Sequence, residues 1–294
     1  MTNQVTKLTD IINPQVMGDM ISAKIPAMLK FTPFARVDRT LVGVPGDTKT
    51  VPSWNFVGAA ENLAEDGELQ TAKLTASTTT FTIGCAGKSV GISQKSINSG
   101  LGDPVGQAET QLAKAIAVKI DNDVLAAAMT ATQTAGTKTT AIGYGSIVDC
   151  VDVLAEEEIT DKVLFINPAQ VTTLRKDADF IDKTKYGNEV MVSGEIGMVC
   201  GVRIVPSKKI VAQDFSSSDT TKVYKCPLIK LEPASAETEY TEDELPALTI
   251  FMKQDVSVDH EWFPKKQQHD VTATEYYGVA LTNAAKVVIC TFKA

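Results

Sequence analysis

The stretch that decides the fold is TKTVPSWNFV (48–57), GAAENLAEDGE (58–68) and LQTAKLTASTTTFTI (69–83). The first part reads as a strand, and Pro52 marks it as an edge strand because proline has no N–H to offer a ladder. The second part is a small, acidic, glycine-bearing tip. The third returns as a second strand, in which six threonines fall between Thr71 and Thr82, with Ser77 among them. Threonine favours extended backbone, yet this ribbon has almost nothing apolar to bury. A long, polar, two-stranded ribbon is marginal alone in water. It needs a surface to lie on, and in a chain without a catalytic motif the natural candidate is a neighbouring copy of the same chain. Alternation puts Trp54 and Phe56 on one face of the first strand. They either pack within the hairpin or act as anchors at a subunit interface, where aromatic residues concentrate.

Working outward from the ribbon, residues 1–42 form an N-terminal arm. Asn13-Pro14 opens a helix, with Val16, Met20, Ile21 and Ile25 at helical spacing and Pro26 interrupting. The strap MLKFTPFA (28–35) follows, carrying Phe31 and Phe34. It is either core or a dock on another subunit. On the other side of the ribbon, GCAGKSVGISQ (84–94) is a further strand. Asp103-Pro104 then starts a helix with cap and first-turn proline together. Val105, Ala108, Leu112, Ile116, Ile120 and Val124 form its apolar stripe. A helix over 104–131 is about 40 Å long, well above the globular average. Gly136 and a threonine-rich run (132–140) form a linker.

Residues 141–230 alternate helix and strand and read as a separate α/β layer. Helices are expected near 144–158 and after Asn167-Pro168, with buried-type strands at VLFI (163–166) and GVRIVP (201–206). Segment 232–244 carries six acids and no base and reads as a solvated loop. Alternation resumes at Val256–Trp262 and Ala273–Leu281, and Val287–Phe292 is apolar on both faces. These late strands are expected to pair with those near 69–95 and to pack on the long helix. One domain, 84–140 with 231–294, then encloses the inserted one.

The chain has 294 residues, 44% hydrophobic, with a formal net charge of −8. That suffices for one large or two medium domains. The acidic balance is the opposite of a phosphate-backbone footprint. No run is long enough to span a membrane. MTNQVTKLTD at the N-terminus lacks the basic and apolar regions of a signal peptide, so folding in a cytoplasm is expected. Five widely spaced cysteines with no C-x-x-C pair read as reduced, buried thiols acting as small hydrophobes.

Chemistry is sought without success. Only His260 and His269 are present, and a single histidine with no H-x-H or H-x-x-x-H partner makes poor ligand arithmetic, so no metal is expected. Neither is flanked by a nucleophile elbow. GYGSIV (143–148) lacks a third glycine, and GEIGMVCG (194–201) leads into a strand, so neither cradles a phosphate. Asp121-Asn122-Asp123 lacks the turn glycine of a calcium loop and reads as the polar side of the long helix, with Lys119 and Asp123 one turn apart. No cofactor is expected, and the chain reads as a non-enzyme.

Four segments carry a resemblance: NPQVMGDMISAKIPAMLKFTPFARVD (13–38), DPVGQAETQLAKAIAVKIDNDVLAAAM (103–129), VLFINPAQVTTLRKD (163–177) and GEIGMVCGVRIVPS (194–207). Their order and spacing resemble the major capsid proteins of tailed bacteriophages. The resemblance implies an α+β chain of the Hong Kong 97-type capsid fold. Residues 1–42 would be its N-terminal arm, 43–83 its extended β-hairpin loop, 104–131 its spine helix, 141–230 its apical α/β domain and the remaining strands its peripheral β-rich domain. It further implies self-assembly, as pentamers and hexamers, into an icosahedral head shell around a double-stranded DNA genome that is not bound sequence-specifically. The virion, assembled in the host cytoplasm, would be its location. The family's long charged extension ahead of the arm is missing, which implies a separate scaffolding protein or an already processed chain; a portal is implied too. Some members weld subunits through a lysine of the ribbon. Lys49 and Lys73 lie there, but no partner is assignable and no such reaction is predicted. Trp54, Phe56, Phe31 and Phe34 are the candidate subunit contacts. An encapsulin-like nanocompartment shell is the alternative role for the same fold.

Overall fold

The computed structural model of the chain describes residues 29–54, 62, 71, 73–99, 104–156, 160–176, 198–217, 219–231 and 245–294. Its strands are β1 (Arg36–Asp38), β2 (Thr48–Trp54), β3 (Ala76–Thr82), β4 (Gly84–Ser93), β5 (Gln133–Ala135), β6 (Lys162–Ile166), β7 (Met198–Val199), β8 (Val202–Pro206), β9 (Gln213–Ser216), β10 (Asp219–Lys230), β11 (Leu248–Phe263), β12 (Gln268–Leu281) and β13 (Val287–Lys293). Its helices are α1 (Gln94–Ser99), α2 (Pro104–Ala128), α3 (Tyr144–Asp152) and α4 (Pro168–Arg175). The described residues fall into two compact units. One is drawn from residues up to Lys49, Phe81–Leu125 and Ile250–Ala280; the other from Thr50–Thr80, Ala126–Thr249 and Leu281–Ala294.

The first unit is a four-stranded sheet, order β1-β11-β12-β4, with the long helix α2. The stripe predicted from spacing is buried at Ala108, Leu112, Ile116, Ile120 and Val124, and Ala113 and Ala117 widen it. Along β12, Val271, Ala273, Glu275 and Tyr277 are buried in strict alternation, as a sheet with one covered face demands. Tyr277 reaches α2, its hydroxyl donating to Asp123 Oδ2 at 2.8 Å. β4 pairs antiparallel with β12 from Gln268↔Ser93 to Tyr277↔Gly84, as the late-strand expectation requires. Gly278 has its reason here: a Cβ would stand 2.7 Å from the Thr82 carbonyl oxygen.

The second unit holds a seven-stranded mixed sheet, order β5-β13-β10-β6-β8-β7, with β9 on β10. β6 and β8 run parallel (Leu164↔Ile204), while β10 is antiparallel to β6 (Leu228↔Leu164). Every residue of β6 is buried, the pattern of a strand covered on both faces. Asn167 caps α4 as its sequence predicts: its side-chain oxygen accepts from Ala169 N at 2.9 Å, with Pro168 in the first turn. β7 and β8 are joined by Cys200 and Gly201, both at positive φ (51° and 74°), the signature of a tight hairpin turn.

Several expectations are corrected. The C-terminal strand β13 does not join the strands near 69–95. It pairs with β10 (Cys226↔Cys290) and parallel to β5 (Ile289↔Thr134), so it belongs to the unit that contains 141–230. The reason is its apolar character on both faces, which only a doubly covered sheet position accommodates. β5 likewise replaces part of the expected 132–140 linker, and Gly136 follows it at φ +78°, where a Cβ would strike the Thr291 carbonyl oxygen. The helix expected over 144–158 ends at Asp152, and Ala155 takes a left-handed φ of 45°. That turn brings Glu156 to the buried Lys162 and to Lys230 (3.3 Å). The helix expected over 104–131 ends at Ala128, and the returning ribbon strand is confined to Ala76–Thr82. Of the five thiols, Cys150, Cys226 and Cys290 are buried, but Cys85 is exposed and Cys200 half-buried. The acidic segment 232–244 and the arm residues 1–28 lie outside the described residues.

Candidate subunit-contact site

β2 and β3 form a two-stranded sheet of their own. Thr71, Lys73, Leu74, Thr75, Thr80 and Thr82 are all exposed, Leu74 at 55%. At these positions the polar side chains face outward, whereas Lys49, Val51 and Phe81 are half-buried. The root of the ribbon is fastened. Ile83 N donates to Asp47 O at 2.8 Å, closing the base of the hairpin. Lys253 on β11 donates to Gly46 O at 2.7 Å and pairs with Asp47 at 3.1 Å. Phe81 stacks on Phe251 with ring centroids 5.7 Å apart. Lys49 donates to Thr40 Oγ1 at 2.7 Å, so this lysine is engaged within its own subunit. The exposed pair Arg39–Asp255 (3.3 Å) adds little, because solvent screens it.

A second fastening lies where the arm enters the fold. Asp121, buried on α2, accepts from Lys30 N (2.9 Å), Phe31 N (3.1 Å), Thr32 N (3.3 Å) and Thr32 Oγ1 (3.0 Å). Three successive amides open the short 3-10 turn Thr32–Phe34, and one carboxylate satisfies them all. Charge-assisted bonds of this kind are about twice as strong as neutral ones. The expected polar-side reading of 121–123 is therefore corrected for Asp121, whereas Lys119 and Asp123 do pair, at 2.6 Å. The available signal was spacing: Ala113, Ala117 and Asp121 follow one another at intervals of four along the flank of the buried stripe.

The four predicted contact residues meet different fates. Phe31 is only 2% exposed and sits in the core of its own subunit, which withdraws it from the surface. Phe34 closes the 3-10 turn and is half-buried. Trp54 ends β2, with its side chain outside the described residues, and Phe56 lies wholly outside them.

Beneath the sheet, burial pushes the Glu275 carboxyl up to about 7, reinforced by the charge of Asp255. Its Oε2 has no hydrogen-bond partner among the described residues. In the other unit burial also raises Glu156, but hydrogen bonds from Lys162, Thr160 and Lys230 outweigh it, and the carboxyl titrates below its usual range. Burial drives the Cys226 and Cys290 thiols upward, which makes them poor nucleophiles. Ser146 reaches back to accept from Gly143 N at 2.9 Å, so the 143–148 glycine stretch serves as a helix start. Among the described residues no group of three or more His, Cys, Asp or Glu is placed to hold a metal, and no helix is long and apolar enough to cross a membrane.

The family described as phage capsid protein matches residues 76–289. A major capsid protein of Staphylococcus phage phiMR11 is 35% identical over 214 residues, which covers 72% of this chain and 77% of the relative. The capsid of the cyanophage P-SCSP1u superposes with a TM-score of 0.70 at 12% identity, covering 90% of this chain and 88% of that one. The capsid chain of the cyanophage Pam1 gives 0.69 at 13% identity, covering 90% and 92%. At such low identity these two likenesses are of fold, and the fold is the Hong Kong 97-like capsid fold. Matched across 76–289 and 35% identical over 214 residues to a curated major capsid protein, this chain belongs to the phage capsid protein family.

Proposed function

We propose that this chain is the shell-forming subunit of a tailed-phage head, self-assembling in many copies into an icosahedral container for double-stranded DNA. The observation that carries the reading, beside family membership, is the hairpin: a polar two-stranded sheet of its own, exposed at Thr48, Thr50, Thr80 and Thr82 and fastened at its root by Asp47, Lys253 and Phe81. A polar element anchored at its base is suited to lie across an adjacent subunit. In this reading β2 and β3 belong to the extended loop, α2 is the spine helix, the four-stranded sheet is the peripheral domain, and the seven-stranded unit contains the apical domain. Pentamers and hexamers make the shell, and a separate scaffolding protein and a portal take part in its assembly in the host cytoplasm. The net charge of −8 supports a container rather than a DNA-binding protein, because tight binding requires many lysine or arginine contacts to phosphate.

Negative-stain electron microscopy of the purified protein, alone and with a candidate scaffolding protein, tests the proposal. Closed shells, or rings of five and six, are the expected outcome. A chain that stays monomeric under both conditions while catalysing a defined reaction overturns it.

A further inference from the structure

The two histidines of this chain, nine residues apart in sequence, are brought together by the pairing of β11 with β12. His260 Nε2 lies 2.8 Å from His269 Nδ1, and ring centroids 5.0 Å apart set the two nitrogens head-on. Such a bond needs one proton between the nitrogens, donated by one ring and accepted by the other. His269 Nε2, on the far side of its ring, lies 2.9 Å from Gln94 Oε1 at the start of α1. Gln94 is held at both ends: its backbone N donates to Gln267 O at 2.8 Å, and its side-chain NH2 donates to Asn98 Oδ1 at 3.0 Å. The amide oxygen therefore accepts from His269 Nε2, which leaves His269 Nδ1 as the acceptor for His260 in the neutral pair. Trp262 covers the His269 ring, with centroids 4.2 Å apart, and β4 places the buried Ile92 opposite His269. His269 is half-buried, whereas His260 is exposed.

We propose that the His260–His269 pair is a proton-operated latch at the end of the β11–β12 hairpin, closed with no added proton or one and opened by the second. The count follows from the head-on geometry. One added proton is accommodated: it enters on His269 Nδ1, while His260 carries its own proton on Nδ1 instead of Nε2 and becomes the acceptor. The bond survives with its direction reversed and is strengthened by the charge. A second added proton puts N–H groups on both facing nitrogens and a positive charge on both rings, and no hydrogen bond remains between them. The exposed ring is the one that leaves. His269 keeps its bond to Gln94 Oε1, because Nε2 is protonated in every state, and the Trp262 face favours its charge. His260 has solvent to turn into. The charged groups around the pair are Asp259 and Glu261 on β11, Asp270 on β12, Lys265 and Lys266 in the turn, and Lys95 on α1. Asp259 and Glu261 flank His260, and Asp270 flanks His269, so alternation directs these carboxylates to the opposite face. Asp270 Oδ1 accepts from Gln268 Nε2 at 2.6 Å, and Lys266 Nζ lies 5.8 Å from the centre of the Phe263 ring. The two strands thus direct no carboxylate at the pair to neutralise a double charge. Burial, and then the charge of His260, hold His269 below the usual imidazole range. The unfolded chain therefore takes up this proton before the native state does. The stability contributed by the latch is full above about pH 6.5 and is lost as the pH falls from there through the lowered value.

The test is an NMR titration of the whole purified chain from about pH 8 to about pH 4.5, a range that brackets the ordinary imidazole value. It does not depend on assembly, so its outcome leaves the shell reading untouched. Because the chain has two histidines, the imidazole signals report on this site alone. At the alkaline end the ring nitrogen shifts are expected to show His269 protonated on Nε2, with a nuclear Overhauser contact between the two rings. On acidification both rings respond together in a first step. The second step comes at least about one pH unit lower, as in other strongly coupled pairs, and the inter-ring contact disappears with it. His260→Ala leaves His269 with a single step, moved up towards about 6.5. His260→Phe keeps a ring in place without its nitrogens and gives the same single step, which separates loss of the hydrogen bond from loss of packing. His260 is exposed, so neither substitution disturbs the fold, as far-UV circular dichroism checks. Two independent single-step titrations, an inter-ring contact that persists with both rings charged, or a His269 titration unchanged in His260→Ala overturns the proposal.

Discussion

At the scale of single residues, two buried carboxylates make opposite contributions. Asp121 is fully partnered, and its removal strands three amide donors at Lys30, Phe31 and Thr32. Asp121→Ala should cost about 2–4 kcal/mol, since each orphaned buried donor carries a desolvation penalty. Asp121→Asn keeps one acceptor oxygen and should lose less. Thermal unfolding measures the cost, and faster amide exchange confined to residues 30–32 locates it; a transition unchanged in Asp121→Ala would show that the clamp is idle. Glu275 is the reverse case, buried with one oxygen unpartnered and titrating near 7 instead of its usual 4.5. Between those two values the native state holds more protons than the unfolded state. Stability therefore falls as the pH rises from about 4.5 to about 7, and it levels off above. Glu275→Gln should flatten that slope: little change at pH 4, and a gain of about 2–3 kcal/mol at pH 8. Denaturant unfolding at the two pH values checks this, and an equal effect at both would remove the titration from the account.

At the scale of elements, the hairpin and the long helix embody different solutions to burial. α2 covers its stripe within its own unit: Leu112 and Ile116 are essentially inaccessible. The hairpin is exposed at Thr48, Thr50, Thr80 and Thr82, and the proposed sources of its order are its root and an adjacent subunit. Two changes separate these sources. Trp54→Ala should weaken a subunit contact by about 2 kcal/mol per copy if the indole is an anchor. Deleting 58–68 should shorten the ribbon's reach. Both variants should give folded subunits with an unchanged monomer thermal transition but impaired shell formation by electron microscopy. Unfolding of the isolated subunit would instead place the ribbon in the subunit's own core.

At the scale of the whole molecule, the sequence by itself determined what depends on local pattern. The 3.6-residue stripe after Pro104 specified a long helix with a buried face, Asn167-Pro168 specified a capped one, and alternation from 273 to 281 specified a strand, with Ala273, Glu275 and Tyr277 on its covered side. The threonine-rich return of the ribbon specified a strand, exposed at Thr80 and Thr82. Each of these is set by neighbours within a turn or two, where periodicity and cap chemistry act. What only the tertiary structure decided depends on partners far apart in the chain. Nothing local says that β13 joins β10, because an apolar strand satisfies any doubly covered position and the choice lies with the whole sheet. Nothing local says that Asp121 faces inward to Lys30, 91 residues away, or that His269 meets His260 across a strand pair. Phe31 shows the same limit. An apolar strap between prolines fits a core and a subunit contact equally well, because burial rewards both, and the long-range fold chose the core.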